Sequence, residues 1–459
     1  MESNLKGALT SDELEVQLDS GDAATRELAL RSLCKMAAAD PAMFPEPKPI
    51  ANMHSHTFFS YNCCGYSPTH FAWLARRAGL EAAGIVDFDV LNGLDEFLAA
   101  GRAVGIKGSV GLESRVFVPE FASRVINSPG EPGVSYHMGS GFVTRRLEPA
   151  ATEFLSNMRT ASETRNRGLV NRVNAYLRPV QLDFEQDIVP LTPAGNVTER
   201  HICLAYARKA MLTFQHSEDL SDFWSERLGE KAEKLDLPDG PKLQNLIRSK
   251  TMKQGGPGYV APDKGSFPRM ADMNRFVLEA GGIPVFTWLD GTSAGEKCIE
   301  ELFTTAAASG AAALNIIPDR NFTPGVKDQK LQNLYDVVQL AEKHNFPIMV
   351  GTEMNSPGQK FVDSFETAEL APLAPIFIKG ARIMYGHTVL QTHARMGYTS
   401  KWASIHFSDT RSKNDFFEEL GSRLRPSDKE TPEHDSEAGQ LNDIMMELIS
   451  RPAPTRKTP

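Results

Sequence analysis

Residues 50–60 read IANMHSHTFFS, with His54 and His56 on alternate positions. In an extended strand, positions i and i+2 point to the same face. Ile50 and Met53 lead into the pair as part of a buried strand, and the polar Thr57 and Ser60 follow, as where a strand ends in an open site. Two imidazoles side by side can bind a divalent metal and leave coordination positions for carboxylates, water or substrate. The alternative is a histidine pair on an exposed edge strand, and the rest of the chain argues against it.

From this strand onward the pattern alternates. Pro68 at its start and Gly79 at its end mark a helix over 68–79, and AAGIVDF (82–88) reads as a buried strand. A helix over 94–104 and a strand over 106–118 come next. The rhythm resumes with helices expected at 271–280, 296–308 and 328–344 and strands at 283–287, 311–317 and 347–352. Repeated βα units imply a parallel sheet buried on both faces, doubly wound or closed into a barrel.

Three regions lie outside this rhythm. Residues 11–39 read as helix, rich in Ala, Leu, Arg and Lys, and Pro41, Pro45, Pro47 and Pro49 make a stiff linker, so 1–48 is expected as an N-terminal extension. Residues 119–270 read as a long insertion after the third strand of a domain spanning 49–364. It holds helical stretches at 198–215 and 220–250, and a Gly- and Pro-rich loop, GGPGYVAPDKGSF (255–267), of the kind that covers enzyme sites. Residues 365–459 read as a C-terminal extension ending in a mobile tail, with a short helix near 441–449.

The chain has 459 residues and a formal net charge of −9, with 41% hydrophobic and 23% charged residues, ordinary for a globular protein. That balance offers no extended basic surface for nucleic acid. No run is apolar enough to span a membrane or serve as a secretory signal. Five cysteines without a CxxC motif fit a reducing compartment. The expectation is a cytoplasmic protein acting on a small molecule.

Ionisable residues recur where the expected strands end, which is where sites form in parallel α/β barrels. They are His54 and His56, Asp87 and Asp89, Glu113, Asp290, and Glu353 with Asn355. His137, in VSYHMGSGF, sits among small residues of the insertion and could reach the same mouth.

HSHTFFS, AGIVDFDVLNG, VGLESRV, GVSYHMGSGF, VTERHICLAYARKAM, GGIPVFTWLDG and IMVGTEMNSPG follow one another in this chain. In that order they resemble the motifs of the PHP (polymerase and histidinol phosphatase) superfamily, most closely its stand-alone phosphoesterase branch. The resemblance implies a distorted (β/α)7 barrel, with up to three metal ions at the strand ends and hydrolysis of phosphate esters of nucleotides and small metabolites. It implies a metal held by His54, His56, Glu113 and Glu353, with Glu353 in place of the family's aspartate. A second metal would keep Glu113 and His137, with Asp290 a candidate to complete it. The third is erased, since Tyr61, Phe88 and Asn355 stand at its ligand positions, and Trp288 stands at that of a family histidine.

The resulting expectation is a metal-dependent hydrolase, a phosphoesterase with one divalent ion (Mn, Fe or Zn) or at most two. The alternatives are a mononuclear lyase or carbon-nitrogen hydrolase on the same barrel, or a non-catalytic ligand-binding protein. Asp87 could orient a ligating histidine, and His201 matches a family histidine that either packs or touches substrate. Lys264, Arg269 and Arg320 could hold a phosphate or carboxylate. Aromatic rings at Phe88 and Trp288 suggest a drier pocket and a substrate less charged than a bisphosphate.

Overall fold

The structure, a computed structural model, describes residues 9–262, 265–322, 325–427 and 435–450. Seven strands, β1 (Lys48–Ser55), β2 (Leu80–Phe88), β3 (Lys107–Phe117), β4 (Val134–Ser140), β5 (Ile283–Trp288), β6 (Ala313–Ile316) and β7 (Ile348–Val350), form one sheet in chain order. Ser55, at the end of β1, and Glu353, just past β7, make a parallel bridge. There the His56 N–H donates to Glu353 O and the Glu353 N–H to His54 O, both at 2.8 Å. This seam draws the sheet into a nearly closed, distorted barrel.

The βα alternation is confirmed, with one difference. β4 comes from the region read as insertion and runs antiparallel to both β3 and β5, so the sheet is not wholly parallel. A short antiparallel strand needs no crossover helix, and VSYHMGS has too few apolar residues to declare itself.

Two helices, α1 (Ser11–Gln17) and α2 (Ala23–Ala39), replace the single helix expected over 11–39. The break falls where Asp22 caps α2, its carboxylate accepting from the Thr25 N–H at 2.9 Å. Leu14 and Leu33 of this pair join the outer core, together with Trp73 of α3 (Pro68–Arg77), Phe97 of α4 (Leu94–Val104), Ile85, Leu112 and Phe286.

The chain between β4 and β5 builds a helical unit from α5 (Pro149–Tyr176), α6 (Glu199–Thr213), α7 (Ser217–Leu228) and α8 (Pro241–Ile247). It has a core of its own, centred on Val173, Tyr206, Trp224 and Ile247. The sequence did not announce α5, whose 28 residues bury few side chains. Helices α9 (Met270–Glu279), α10 (Ile299–Ala308) and α11 (Lys327–Lys343) then complete the outer layer.

The C-terminal extension has a definite place. Helix α12 (Ala374–Ala394) packs its Ala381, Met384 and Tyr385 with the inward side chains Met53, Val86, Met138, Val285 and Met349 in a second core. It plugs the barrel, and the approach is close: a Cβ on Gly380 would lie 1.8 Å from Ile348 O. Helices α13 (Lys401–His406), α14 (Thr410–Arg423) and α15 (Glu437–Ser450) follow, and α15 contains the helix expected near 441–449. Of the expected tail, residues 428–434 and 451–459 lie outside the described residues.

His387 fastens α12 to the barrel. Its Nε2 bonds Gly141 O at 3.0 Å and its Nδ1 accepts from the Tyr398 N–H at 2.9 Å, which fixes a neutral ring. Gly141, at φ +76°, is needed here, because a Cβ would lie 2.4 Å from the ring. Burial pushes the His387 pKa down to about 4, whereas an unfolded histidine titrates near ~6.5. Between these values the unfolded chain binds a proton that the folded chain does not, so stability falls as pH drops through that window. Urea unfolding should show the loss between pH 7 and pH 5, and His387→Gln should lessen it. An undiminished loss in the variant would contradict the assignment.

Candidate metal centre

At the end of β1, His54, His56 and Glu113 come together, each buried. Their ligand atoms lie within 4.8 Å of one another. His56 Nε2 is 3.2 Å and His54 Nε2 3.7 Å from the same Glu113 oxygen, Oε2.

Bonds on the far side of each ring decide what these atoms can do. Ser60 Oγ gives its one proton to Asp87 Oδ1 at 2.6 Å, so it can only accept at His56 Nδ1, 3.0 Å away. Asn315 Oδ1 likewise accepts from His54 Nδ1 at 3.3 Å. Each neutral ring therefore carries its hydrogen on Nδ1 and turns the Nε2 lone pair inward. His54 Nε2, His56 Nε2 and Glu113 Oε2 are all buried without a hydrogen-bond partner. Three acceptors converge with no donor between them, an arrangement relieved by protonating the rings or by one shared cation. Burial pushes the Glu113 carboxyl up, and only rings protonated at Nε2 would hold it down, at about 2; a shared cation would favour the carboxylate in the same way. The group thus has the donor set of a divalent-metal site.

Asp87 supports the centre from behind. Its carboxylate also accepts from the Thr57 N–H at 2.8 Å and the Thr57 hydroxyl at 2.7 Å, which shapes the turn leaving β1. Burial pushes its pKa up. Reaching no open space, it orients His56 through Ser60. Phe88, in register with Glu113, stacks on the other side of the His56 ring at 4.4 Å.

Other expected residues are not drawn into the group. His137 stands in register with Ser114 and with the outer-core Phe286. Its neighbour Met138 pairs with Glu113 and Val285 on the inner face. The alternation of β4 thus turns His137 outward, where Nε2 meets Asn274 of α9. Glu353 closes the barrel seam through its backbone. Its side chain accepts from Arg320 Nη2 at 2.8 Å and Gln359 Nε2 at 2.9 Å, outside the three-ligand group.

Asp290 pairs with Lys330 of α11 at 2.8 Å. His201 belongs to the capping box of α6, its Nδ1 accepting from the Thr198 N–H at 3.1 Å, and its ring meets the edge of Tyr61. Trp288 lies in the outer core, not the site mouth. Lys264 lies outside the described residues.

The centre opens into a cavity of about 640 Å³, walled by Phe88, Glu113 and Glu353 on the barrel side and by the helical unit on the other. Tyr259, Val260 and Phe267 of the Gly- and Pro-rich loop line it, as expected of a covering loop. Backbone strain marks its lining: Asp89 (φ +55°) and Glu353 (φ +61°) adopt left-handed conformations, which cost non-glycine residues roughly 1–3 kcal/mol each. Sequence reasoning missed Ser60 and Asn315 as the groups that set the two tautomers. Ser60 stood in the opening motif, but Asn315 lies 261 positions from its histidine.

No family model matches the chain, and no curated protein matches it. Two solved structures resemble it distantly. One is an amidohydrolase from Chromobacterium violaceum with bound sulfate and no metal: 17% identity, TM-score 0.47, covering 71% of this chain and 96% of that one. The other is a protein from Bifidobacterium adolescentis provisionally described as a metal-dependent phosphoesterase: 17% identity, TM-score 0.45, covering 72% and 98%. Likeness at that level fixes neither a reaction nor the residues that perform it. Among the described residues, no helix is long and apolar enough to cross a membrane.

Ser60→Ala should free the His56 ring from the Asp87 chain. Loss of such an outer partner weakens divalent-ion affinity ~10–100-fold, measurable with a competing chelator dye, while the fold loses the two Ser60 hydrogen bonds, ~2 kcal/mol. Unchanged affinity would show that Ser60 does not orient the ring.

Proposed function

We propose that this chain is a metal-dependent hydrolase of the PHP type, acting as a phosphoesterase on a small phosphorylated metabolite or nucleotide. A single divalent ion, Mn, Fe or Zn, is held by His54 Nε2, His56 Nε2 and Glu113. The observation that carries this reading is the convergence of three orphaned, buried acceptors on one point. Three protein ligands also leave a coordination position open, as catalytic sites require.

When bound, such an ion polarises a substrate oxygen and lowers the pKa of a bound water toward neutrality. The chain's own residues supply the rest. Asp87 and Ser60 hold the His56 tautomer, Asn315 holds that of His54, and Phe88 stacks on His56. Glu353 stands in the cavity wall with its charge engaged by Arg320. The positions that the resemblance gives to further metals remain without a ligand set, since no second group of three metal-ligating side chains lies close together among the described residues.

Elemental analysis of protein purified without added metal tests this directly. We expect about one Mn, Fe or Zn per chain, hydrolysis of p-nitrophenyl phosphate, and loss of both metal and activity in His54→Ala. Absence of metal would contradict the proposal, and a count near three would contradict the single site. Bound metal with no action on a panel of phosphate esters would instead favour the carbon-nitrogen hydrolase or lyase reading.

A further inference from the structure

The cavity's charge runs against that of the chain. Seven cationic side chains line it against five carboxylates, in a protein with a net charge of −9. The carboxylates are all engaged. Glu131 pairs with Arg115, Glu199 with both Arg248 and Lys253, and Glu353 with Arg320. Glu113 faces the histidines, and Asp89 accepts from the Ser114 hydroxyl at 2.6 Å.

Three arginines remain whose hydrogen bonds, among the described residues, go to neutral groups. Arg172 gives two bonds to Gly258 O and serves to pin the covering loop. Arg165, from α5, donates to Ser266 O at 2.9 Å. Its guanidinium shares the Phe267 ring with Arg115, the two lying 4.7 and 4.4 Å from the ring centre. Arg200, from α6, donates to Asn245 Oδ1 at 2.5 Å and Ser356 Oγ at 2.7 Å, bridging the helical unit to the loop after β7.

Like charges are thus crowded at two points of one wall. Burial, and Arg115 beside it, push the Arg165 pKa down to about 10, while burial and Arg248 lower that of Arg200. Asp89, Glu131 and Glu199 offset part of the Arg165 charge and Glu199 part of that of Arg200. Neither guanidinium makes a salt bridge among the described residues, however, and partly buried cations left without one are costly unless an anion arrives to pair with them. A cavity of about 640 Å³ is in the range that holds a whole organic metabolite. Aromatic rings at Phe88 and Trp288 suggest a substrate less charged than a bisphosphate, but only Phe88 lines the cavity, Trp288 lies in the outer core, and the cation surplus points the other way.

We infer that the substrate carries a second anionic group, a phosphate or a carboxylate, held by Arg165 and Arg200 of the helical unit while the scissile group lies at the metal centre. This rests on reading the cavity as a hydrolase's substrate site.

Calorimetric binding to chelator-treated full-length protein tests it without turnover. Three matched probes serve: fructose 6-phosphate with one anionic group, fructose 1,6-bisphosphate with two phosphates, and 6-phosphogluconate with a phosphate and a carboxylate. At least one doubly anionic probe should bind tenfold or more tighter than fructose 6-phosphate, and which one wins identifies the second group. In Arg165→Met and in Arg200→Met the advantage should shrink to threefold or less. The wild-type ratio stands even if a variant fails to fold. Equal binding of all three probes, binding of none, or an advantage that persists in both variants would overturn the inference. If the ratio holds while the metal-loaded protein hydrolyses no ester, the hydrolase reading falls and the anion site remains.

Discussion

Two buried lone pairs and a buried carboxylate point at one another at the mouth of the barrel, and much of the structure serves to keep them there. Left alone, rings and carboxylate would turn away and find donors. They cannot, because each Nδ1 is already committed, His56 through Ser60 to Asp87 and His54 to Asn315. Unsatisfied acceptors packed this closely are expensive. Their cost is understandable if the site is preorganised for a cation.

The fold supplies the rigidity this demands. The bridge between Ser55 and Glu353 locks both residues flanking Ser55 to the end of β7 through two backbone hydrogen bonds. Below, α12 fills the barrel so closely that Gly380 has no room for a side chain beside Ile348. The candidate metal site is thus fixed at one end of a plugged barrel, and the helical unit between β4 and β5 forms the opposite wall of the cavity. The His54, His56 and Glu113 group comes from the barrel, whereas Arg165, Arg172 and Arg200 of the cavity wall come from the inserted helices.

Much of this was legible from sequence because it rests on local periodicity. The alternation of strand and helix gave six of the seven strands, and the spacing of His54 and His56 placed them on one face. What was lost depended on contacts distant in sequence. The antiparallel β4 broke the βα rhythm, and its one-residue alternation turned His137 to the outer face, which no motif could reveal. Glu353 stands near its expected place, but Arg320 and Gln359, at the rim of the same cavity, hold its carboxylate. Trp288 followed the same rule as His137: neighbouring strand positions face opposite ways, so Thr287 contacts the inward Asn315 while Trp288 joins the outer core.

Anomalous diffraction from crystals of the protein grown with manganese or zinc, recorded at the metal's absorption edge, addresses the central claim most directly. A single strong peak should lie between His54 Nε2, His56 Nε2 and Glu113 Oε2. A featureless map at that point, or peaks placed only elsewhere, would show that the three acceptors are satisfied by protons and that the barrel is not built around a metal.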